Sequence, residues 1–315
     1  MRMIKQAFVL AAGLGTRLRP LTEDLPKPLI PIFQKPLITF ALDHLLGAGI
    51  ESFIINTHHL PEPFEKIFAA GAYEGRNVTL VHEPDILGTG GGIKNVEPHL
   101  GAGPFLVYSG DVLTDIDLKP LLDEHFRTGN DVTLALRETN HGADVALEGN
   151  RVVDIENRYG HAGRYDFAGI SVWSPAIFER IPPGRSLSFI PILAEWIGAG
   201  GRIGGVLLNE RQWFNIGSRA EYLEVHRFIE ERNWKPDYVK ATGWPVRIAP
   251  DAAIDSSAQL SGFYSIGAGC RIGAEATVEN TILWPGAQIA SRSRLRNCIV
   301  RSHRKAEGQL SDIDI

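Results

Sequence analysis

The stretch from Leu10 to Leu37 reads LAAGLGTRLRPLTEDLPKPLIPIFQKPL. It begins in an apolar run, Ala7–Ala11, that predicts a buried strand, and it continues into a loop that contains two glycines, a threonine and several cations: Gly13, Gly15, Thr16, Arg17, Arg19 and Lys27. Because glycine has no Cβ, backbone N–H groups can approach a phosphate there, and the fixed cations neutralise its charge. The pattern G-x-x-x-x-G-K-[ST] is absent, and the third glycine of the dinucleotide fingerprint is missing. Electrostatics alone therefore predicts a site for a polyphosphate or another anion.

The same stretch resembles the signature of the sugar-1-phosphate nucleotidylyltransferases, G-x-G-T-R-x-x-P-L-T followed by P-K-P. The matching residues are Gly13, Gly15, Thr16, Arg17, Pro20, Leu21, Thr22, Pro26, Lys27 and Pro28. The resemblance implies that the loop wraps a nucleoside triphosphate. It also implies that Arg17 lies on the outer phosphates and that Lys27 contacts the phosphates at the reacting end.

Composition sets broad limits on function. The chain has 315 residues, of which 44% are hydrophobic and 22% charged, values typical of a folded globular protein. A net charge of −5 argues against a general nucleic-acid surface. The two cysteines, Cys270 and Cys298, form no disulfide framework, so we expect a reducing cytoplasm. No apolar stretch is long enough to predict a membrane span.

Residues 1–232 are predicted to form one catalytic domain. Apolar strands such as Ser52–Asn56, Val78–His82 and Phe105–Tyr108 alternate with helical patterns at Pro36–Ala48 and Pro61–Ala70. This alternation predicts an α/β fold, a mostly parallel Rossmann-like sheet with helices on both faces. Ligands of such sheets lie beyond the carboxyl ends of the strands, where both the glycine loop and Asp111 are expected.

The rest of the chain has a different period. Residues 233–246 read as a linker, and within 247–315 apolar residues then recur every six positions, with one slip: Ile248, Ile254, Leu260, Ile266, Ile272, Val278, Leu283, Ile289 and Leu295. This period predicts a short left-handed parallel β-helix over about 247–300, although an irregular β-rich tail is the alternative. Ser302–Ile315 reads as a polar terminal extension. The region resembles the hexapeptide-repeat tails of several nucleotidylyltransferases, which implies a homodimer through the β-helix.

A metal ion is expected because two polyanionic substrates repel each other, and Mg²⁺ prefers carboxylates, phosphate oxygens and water. Asp111 matches the family's metal aspartate, whereas the nearby Asp115 and Asp117 are expected in turns or helix caps. The family's second metal aspartate is replaced by Asn215 in Trp213–Gly217. Three interpretations follow: Asn215 is a weak metal ligand, another carboxylate takes the place of the missing aspartate, or the protein is impaired or regulatory.

The resemblance assigns residues to both substrates. On the sugar-phosphate side it points to Gly142, Glu156 and Gly169, while Asn157 replaces the usual lysine and Arg158 either substitutes for that lysine or is a surface residue. The second glycine segment, Leu87–Gly92, is expected to border the base and its sugar. The full set predicted to bind the nucleotide is Leu10, Ala11, Ala12, Gly13, Gly15, Thr16, Arg17, Glu83, Gly88 and Thr89.

These assignments imply transfer of a nucleoside monophosphate from a nucleoside triphosphate to a sugar 1-phosphate. The catalytic residues are then Arg17, Lys27 and Asp111. The resemblance favours UTP or GTP and leaves the sugar open. Two rival functions are a regulatory homologue that binds nucleotide sugars and an acyltransferase built on the β-helix, although the coil offers no histidine before His303.

Overall fold

The computed structural model describes residues 3–139 and 142–315. Its first strands are β1 (Gln6–Leu10), β2 (Pro31–Ile32), β3 (Lys35–Pro36), β4 (Ser52–Thr57), β5 (Ala72–Tyr73), β6 (Arg76–His82), β7 (Phe105–Ser109), β8 (Val112–Thr114), β9 (Val132–Arg137), β10 (Val145–Glu148), β11 (Arg151–Ile155), β12 (Asp166–Trp173), β13 (Ile203–Leu207) and β14 (Trp213–Asn215). The later strands are β15 (Ala253–Ile254), β16 (Gln259–Ile266), β17 (Arg271–Ile272), β18 (Thr277–Leu283), β19 (Gln288–Ile289), β20 (Arg294–Arg296), β21 (Ile299–Val300), β22 (Lys305–Ala306) and β23 (Gln309–Ser311). The α-helices are α1 (Leu37–Gly47), α2 (Glu62–Ile67), α3 (Gly88–Asn95), α4 (Lys119–Thr128), α5 (Phe189–Gly198) and α6 (Arg219–Arg232).

The chain forms two compact units, and each of them is discontinuous in sequence. The first contains the residues up to 14 together with 41–213, and the second contains 15–40 together with 214–315. The glycine loop is therefore shared, because its first part belongs to one unit and its second part to the other. The two units do not divide at the predicted boundary, residue 232, because α6 lies before that residue and belongs to the second unit. Within residues 3–139 and 142–315, none of the helices combines the length and the apolar content that crossing a bilayer requires.

A large sheet organises the first unit. Among the described residues, its strand order is β10-β11-β13-β9-β12-β7-β1-β4-β6-β5. The neighbours β7, β1, β4 and β6 are parallel, and β5, β11 and β12 run opposite to the other strands. The predicted α/β fold with a mostly parallel central sheet is confirmed.

Both faces of this sheet are covered. Successive residues of a strand point to opposite faces, and yet Ala7, Phe8 and Val9 of β1 are all fully buried. The helix α4 packs against β9, β12 and β13, while α5 packs against β11 and α3. The resulting apolar core includes Trp173 and Leu193. Such a buried strand has no exposed side chains, so a ligand can reach it only at its end.

The second unit contains a parallel β-helix. One of its sheets has the order β15-β17-β19-β22, and another has the order β16-β18-β20-β23 with β21 also paired to β18. The residues of the six-residue period stack in register, as in the rows Ile254–Ile272–Ile289 and Leu260–Val278–Leu295. They pack into one apolar cluster, which confirms the predicted β-helix.

The end of the chain differs from the prediction. Ser302–Ile315 is not a polar extension, because β22 pairs with β19 and β23 pairs with β20 to build a further coil. Its inward residues are Ala306 and Leu310, which join the apolar cluster. The small alanine at this position breaks the aliphatic period, and for this reason the sequence pattern fades before the coil ends. The predicted linker 233–246 also contributes buried side chains, from Val239 and Trp244.

Candidate active site

The glycine loop and Asp111 leave the same edge of the sheet. The last residue of β1, Leu10, is in register with Ser109, the last residue of the parallel strand β7. The next residue, Gly110, donates its N–H to the Leu10 carbonyl oxygen over 2.9 Å. The partly buried Asp111 follows directly. Two neighbouring strand ends therefore present backbone amides and a carboxylate at one place, as expected from the sequence.

A buried hydrogen-bond chain holds the start of this loop. The Ala11 N–H donates to Asn56 Oδ1 over 2.7 Å, and Asn56 Nδ2 donates to Glu83 Oε1 over 2.7 Å. The second oxygen of Glu83, Oε2, accepts the Leu87 N–H at the start of α3 over 3.1 Å. The exposed fractions of Asn56 and Glu83 are 1% and 0%. Glu83, predicted to bind the nucleotide, is thus engaged inside the protein. The sequence reasoning did not identify Asn56, although a buried polar residue that ends an apolar strand is a signal for such a role.

The second glycine segment packs against another part of the chain. It forms α3, and a Cβ on Gly88 would lie 2.7 Å from the Leu187 carbonyl oxygen. A Cβ on Gly91 would lie 2.2 Å from the Arg185 carbonyl oxygen. This close approach of the backbone explains why glycine occupies these positions, and no bound ligand is needed for the explanation. A nucleotide contact by Gly88 and the exposed Thr89 stays a prediction.

The segment with Glu156 is a turn ordered by Asp154. The fully buried Asp154 carboxylate accepts the backbone N–H groups of Arg158, Tyr159 and His161 at 2.8, 2.7 and 3.0 Å. Burial by itself raises the pKa of the Asp154 carboxyl, but these N–H groups together outweigh it and hold the pKa below its usual range. The Glu156 side chain is exposed on the resulting turn and is thus accessible to a ligand.

Arg158 adopts the surface arrangement in this structure. Its guanidinium Nη2 lies 3.4 Å from Glu195 Oε1, and Nη1 lies 3.4 Å from the Pro191 carbonyl oxygen. Its side chain is 43% exposed. Both contacts are with exposed residues of α5, and a contact of Arg158 with the sugar phosphate stays a prediction.

The predicted glycines Gly142 and Gly169 lie at irregular points of the fold. Gly169 lies where the pairing of β12 with β9 shifts register. A Cβ there would lie 3.0 Å from Val112 Cγ2. Next to Gly142, the Ala143 N–H donates to Asp166 Oδ1 over 2.8 Å. Gly142 and Gly169 have φ values of +141° and +80°, which favour glycine, and their role in a sugar pocket stays a prediction.

In the second unit, Gly15 brings the cationic part of the loop together. Gly15 has φ +61°, a left-handed value that favours glycine, and its carbonyl oxygen accepts the Thr22 hydroxyl over 2.9 Å. A Cβ at this position would lie 2.9 Å from Thr22 Cγ2 and 3.0 Å from Lys27 Cβ. The chain thus folds back on itself so that Thr22 and Lys27 flank Gly15.

The segment with Asn215 lies beside Arg17 in the same unit. A Cβ on Gly217 would lie 2.7 Å from Arg17 Nη2 and 3.4 Å from Glu221 Oε2. Glu221 accepts the Gly217 N–H over 2.9 Å and the Ser218 hydroxyl over 2.9 Å, which caps α6. Two motifs that are far apart in sequence are therefore brought together around Gly217, and Asn215 is two residues away and partly exposed.

The donors for a metal ion are few. Among residues 3–139 and 142–315, no three His, Cys, Asp or Glu side chains cluster in a way that could hold a metal. Asp117 Oδ1 accepts the Lys119 N–H over 2.8 Å, as expected for a residue before α4, and Asp115 Oδ1 accepts the Gln212 N–H over 2.7 Å. A site based on Asp111 therefore fits a metal that takes most of its oxygen ligands from phosphates and water.

Residues 6–232 match the model of the nucleotidyl transferase family, and this chain belongs to that family. A mannose-1-phosphate guanylyltransferase of Mycobacterium tuberculosis is 31% identical over 90% of this chain and 80% of its own length. An N-acetylmuramate alpha-1-phosphate uridylyltransferase of Neisseria meningitidis is 36% identical over 60% of this chain and 83% of its own length.

A solved structure supports the fold. The inositol-1-phosphate CTP transferase from T. maritima superposes with a TM-score of 0.59 at 22% identity, and the match covers 70% of this chain and 92% of that one. The family membership and this likeness agree with the α/β fold expected from the alternation of strands and helices.

Proposed function

We propose that this protein transfers a nucleoside monophosphate from a nucleoside triphosphate to a sugar 1-phosphate, producing a nucleoside-diphosphate sugar and pyrophosphate. The observation that carries the proposal is the anchored loop of a nucleotidyl transferase, in which Asn56 fixes the Ala11 amide beside the strand end that bears Asp111. The relatives from M. tuberculosis and N. meningitidis are both named for reactions of this type.

The chemistry needs no general base. An oxygen of the sugar phosphate, already an anion, attacks the α-phosphorus, and the bond to the β-phosphate oxygen breaks to release pyrophosphate. Arg17 and Lys27 would neutralise the negative charge of the triphosphate. Asp111 is the residue that would hold Mg²⁺, and Asn215 is proposed as a further, neutral ligand. When bound, Mg²⁺ would supply charge neutralisation between the two polyanions. Catalysis then consists of positioning and electrostatic stabilisation.

The substrate pair that we place first is GTP with mannose 1-phosphate. The M. tuberculosis relative named for mannose 1-phosphate aligns with 90% of this chain, whereas the N. meningitidis relative aligns with 60%. Glu156, exposed on the turn held by Asp154, is proposed to accept a sugar hydroxyl. We also retain the homodimer through the β-helix, which a measurement of molar mass in solution tests directly.

The test is pyrophosphate release with Mg²⁺, in which the common nucleoside triphosphates are crossed with a panel of sugar 1-phosphates. Pyrophosphate release with one pair of nucleoside triphosphate and sugar 1-phosphate would identify both substrates. Asp111→Asn should then reduce kcat at least about 100-fold, since it removes the charged metal ligand. Asp123→Asn, the same change on the exposed face of α4, should leave kcat unchanged. Turnover by Asn215→Asp alone would instead indicate a regulatory protein, and no turnover by either would refute the proposal.

A further inference from the structure

An arginine of the β-helix contacts residues 20–24 of the glycine loop, within the second unit. Arg301 follows β21, and its Nη1 donates to the Pro20 carbonyl oxygen over 3.0 Å. The same nitrogen lies 2.8 Å from Asp24 Oδ2 and 3.3 Å from Glu23 Oε2. Arg301 is only 9% exposed, so its guanidinium has little freedom to move elsewhere. We refer to residues 20–24 as the support turn.

The support turn lies inside the glycine loop, residues 13–27, which we also call the phosphate loop. It contains a short 3-10 helix, Leu21–Glu23, whose middle residue Thr22 donates its hydroxyl to the Gly15 carbonyl oxygen over 2.9 Å. Gly15 precedes the 3-10 turn that carries Arg17, and Lys27 begins the next 3-10 turn after the support turn. A shift of the support turn therefore moves the backbone on both sides of it. Arg17 and Lys27 move with that backbone.

The contacts of Arg301 are poorly suited to stabilising the fold. The Glu23 and Asp24 side chains are 52% and 47% exposed, and ion pairs with exposed partners contribute little to the free energy of unfolding. In addition, Arg301 Nε is buried and has no hydrogen-bond partner among the described residues, which costs free energy. An aliphatic side chain would avoid that cost but would remove one of the two donors of the Pro20 carbonyl oxygen, leaving the Glu23 N–H at 3.1 Å.

We infer that Arg301 is a positioning residue for the phosphate loop, through which the β-helix fixes the placement of Arg17 and Lys27 on the triphosphate. The inference rests on the proposed function and adds a residue outside the region that matches the family model, which ends at 232. Its effect is on the nucleoside triphosphate, because the contacts of Arg301 lead to the loop and not to the turn that bears Glu156.

The kinetic test uses Arg301→Met, which keeps an unbranched apolar chain as far as the position of Nε and removes the guanidinium donors. We expect the KM for the nucleoside triphosphate to rise about tenfold, while the KM for the sugar 1-phosphate changes less than about twofold. Arg301→Lys should restore part of the loss, because it retains one donor and the charge. The matched control is Arg292→Met on the same β-helix, whose side chain is 79% exposed, and it should behave as the wild type.

A second readout does not depend on turnover. Hydrogen exchange should quicken in residues 15–27 of Arg301→Met and not in the control. If Arg301→Met fails to fold, Asp24→Asn, a change at a half-exposed site, tests the 2.8 Å contact with Arg301 together with the longer 3.4 Å contact with Arg304. If Arg301→Met folds, the two changes together should give less than the product of their separate effects. Wild-type KM values and wild-type exchange in both variants would overturn the inference. Absence of turnover in the wild type would refute the proposed function, while the exchange result would still decide the role of Arg301 in holding the loop.

Discussion

The buried chain from Ala11 through Asn56 to Glu83 predicts a specific effect of Glu83→Gln. In the wild type, each carboxylate oxygen faces a donor: Oε1 faces Asn56 Nδ2, and Oε2 faces the Leu87 N–H. Glutamine has the same shape but offers a single acceptor. One of these two contacts must therefore become a contact between two donors.

The magnitude follows from burial. Glu83 is fully buried, and a hydrogen bond to a charged group contributes about 1.5–3 kcal/mol. We therefore expect the free energy of unfolding to fall by about 2–3 kcal/mol. Asn56 also loses a fixed acceptor, so its hold on the Ala11 amide weakens. This should raise the KM for the nucleoside triphosphate about fivefold, equivalent to about 1 kcal/mol.

The assay combines urea unfolding, followed by fluorescence, with steady-state pyrophosphate release. Glu65→Gln makes the same chemical change at an exposed position of α2 and is the control for stability. If Glu83→Gln unfolds within about 0.5 kcal/mol of the wild type, the two-donor reasoning is refuted. A lower stability with an unchanged KM would mean that the hydrogen-bond chain supports the fold without supporting the loop.

Three further predictions address other parts of the protein. Gly91→Ala should lower the free energy of unfolding by about 1–3 kcal/mol in urea unfolding, because its Cβ would lie 2.2 Å from the Arg185 carbonyl oxygen; an unchanged midpoint would contradict this packing. Asn215→Asp should lower the Mg²⁺ concentration needed for half-maximal activity several-fold in a metal titration, and an unchanged concentration would mean that Asn215 is not a ligand. Burial lowers the pKa of His226 to about 4 from 6.5. Between pH 6.5 and about pH 4, the imidazole is therefore protonated in the unfolded chain but neutral in the folded protein, and the free energy of unfolding falls as the pH falls through this range. His226→Gln should reduce that slope by up to about 1.4 kcal/mol per pH unit, measured by urea unfolding at pH 7, 6 and 5, and an unaltered slope would count against a neutral buried imidazole.

Features set by local sequence were predictable. The loop from Gly13 to Lys27 has its chemistry in consecutive residues, and a six-residue period has few structural solutions, so both were identified without a structure. The position of Asp111 at a strand end was predictable for the same reason, because an apolar run that ends in Gly-Asp marks the edge of a sheet.

Features that depend on distant contacts were not predictable. The glycines of α3 suggested room for a base, but the chain at Arg185–Leu187 occupies the space where their side chains would lie. The contact between Asn56 and Glu83 joins residues 27 positions apart, and the sequence does not link them before the fold brings them together. The last coil was missed because Ala306 fills a position where the earlier coils use isoleucine. In the first two cases, the deciding neighbour is remote in sequence, and in the third the position is occupied by a residue too small to continue the pattern.

The discontinuity of the second unit has a consequence for synthesis of the chain. Residues 15–40 leave the ribosome early, but Tyr222, which donates its hydroxyl to the Pro31 carbonyl oxygen over 2.6 Å, and Arg301 are translated much later. At about 5–20 residues per second, roughly 10 to 50 s separate the segment from its final contact. During that interval the segment lacks both contacts, and a chain that terminates before Arg301 never forms the second of them. The order of translation thus leaves the phosphate loop among the last parts of the protein to acquire its final structure.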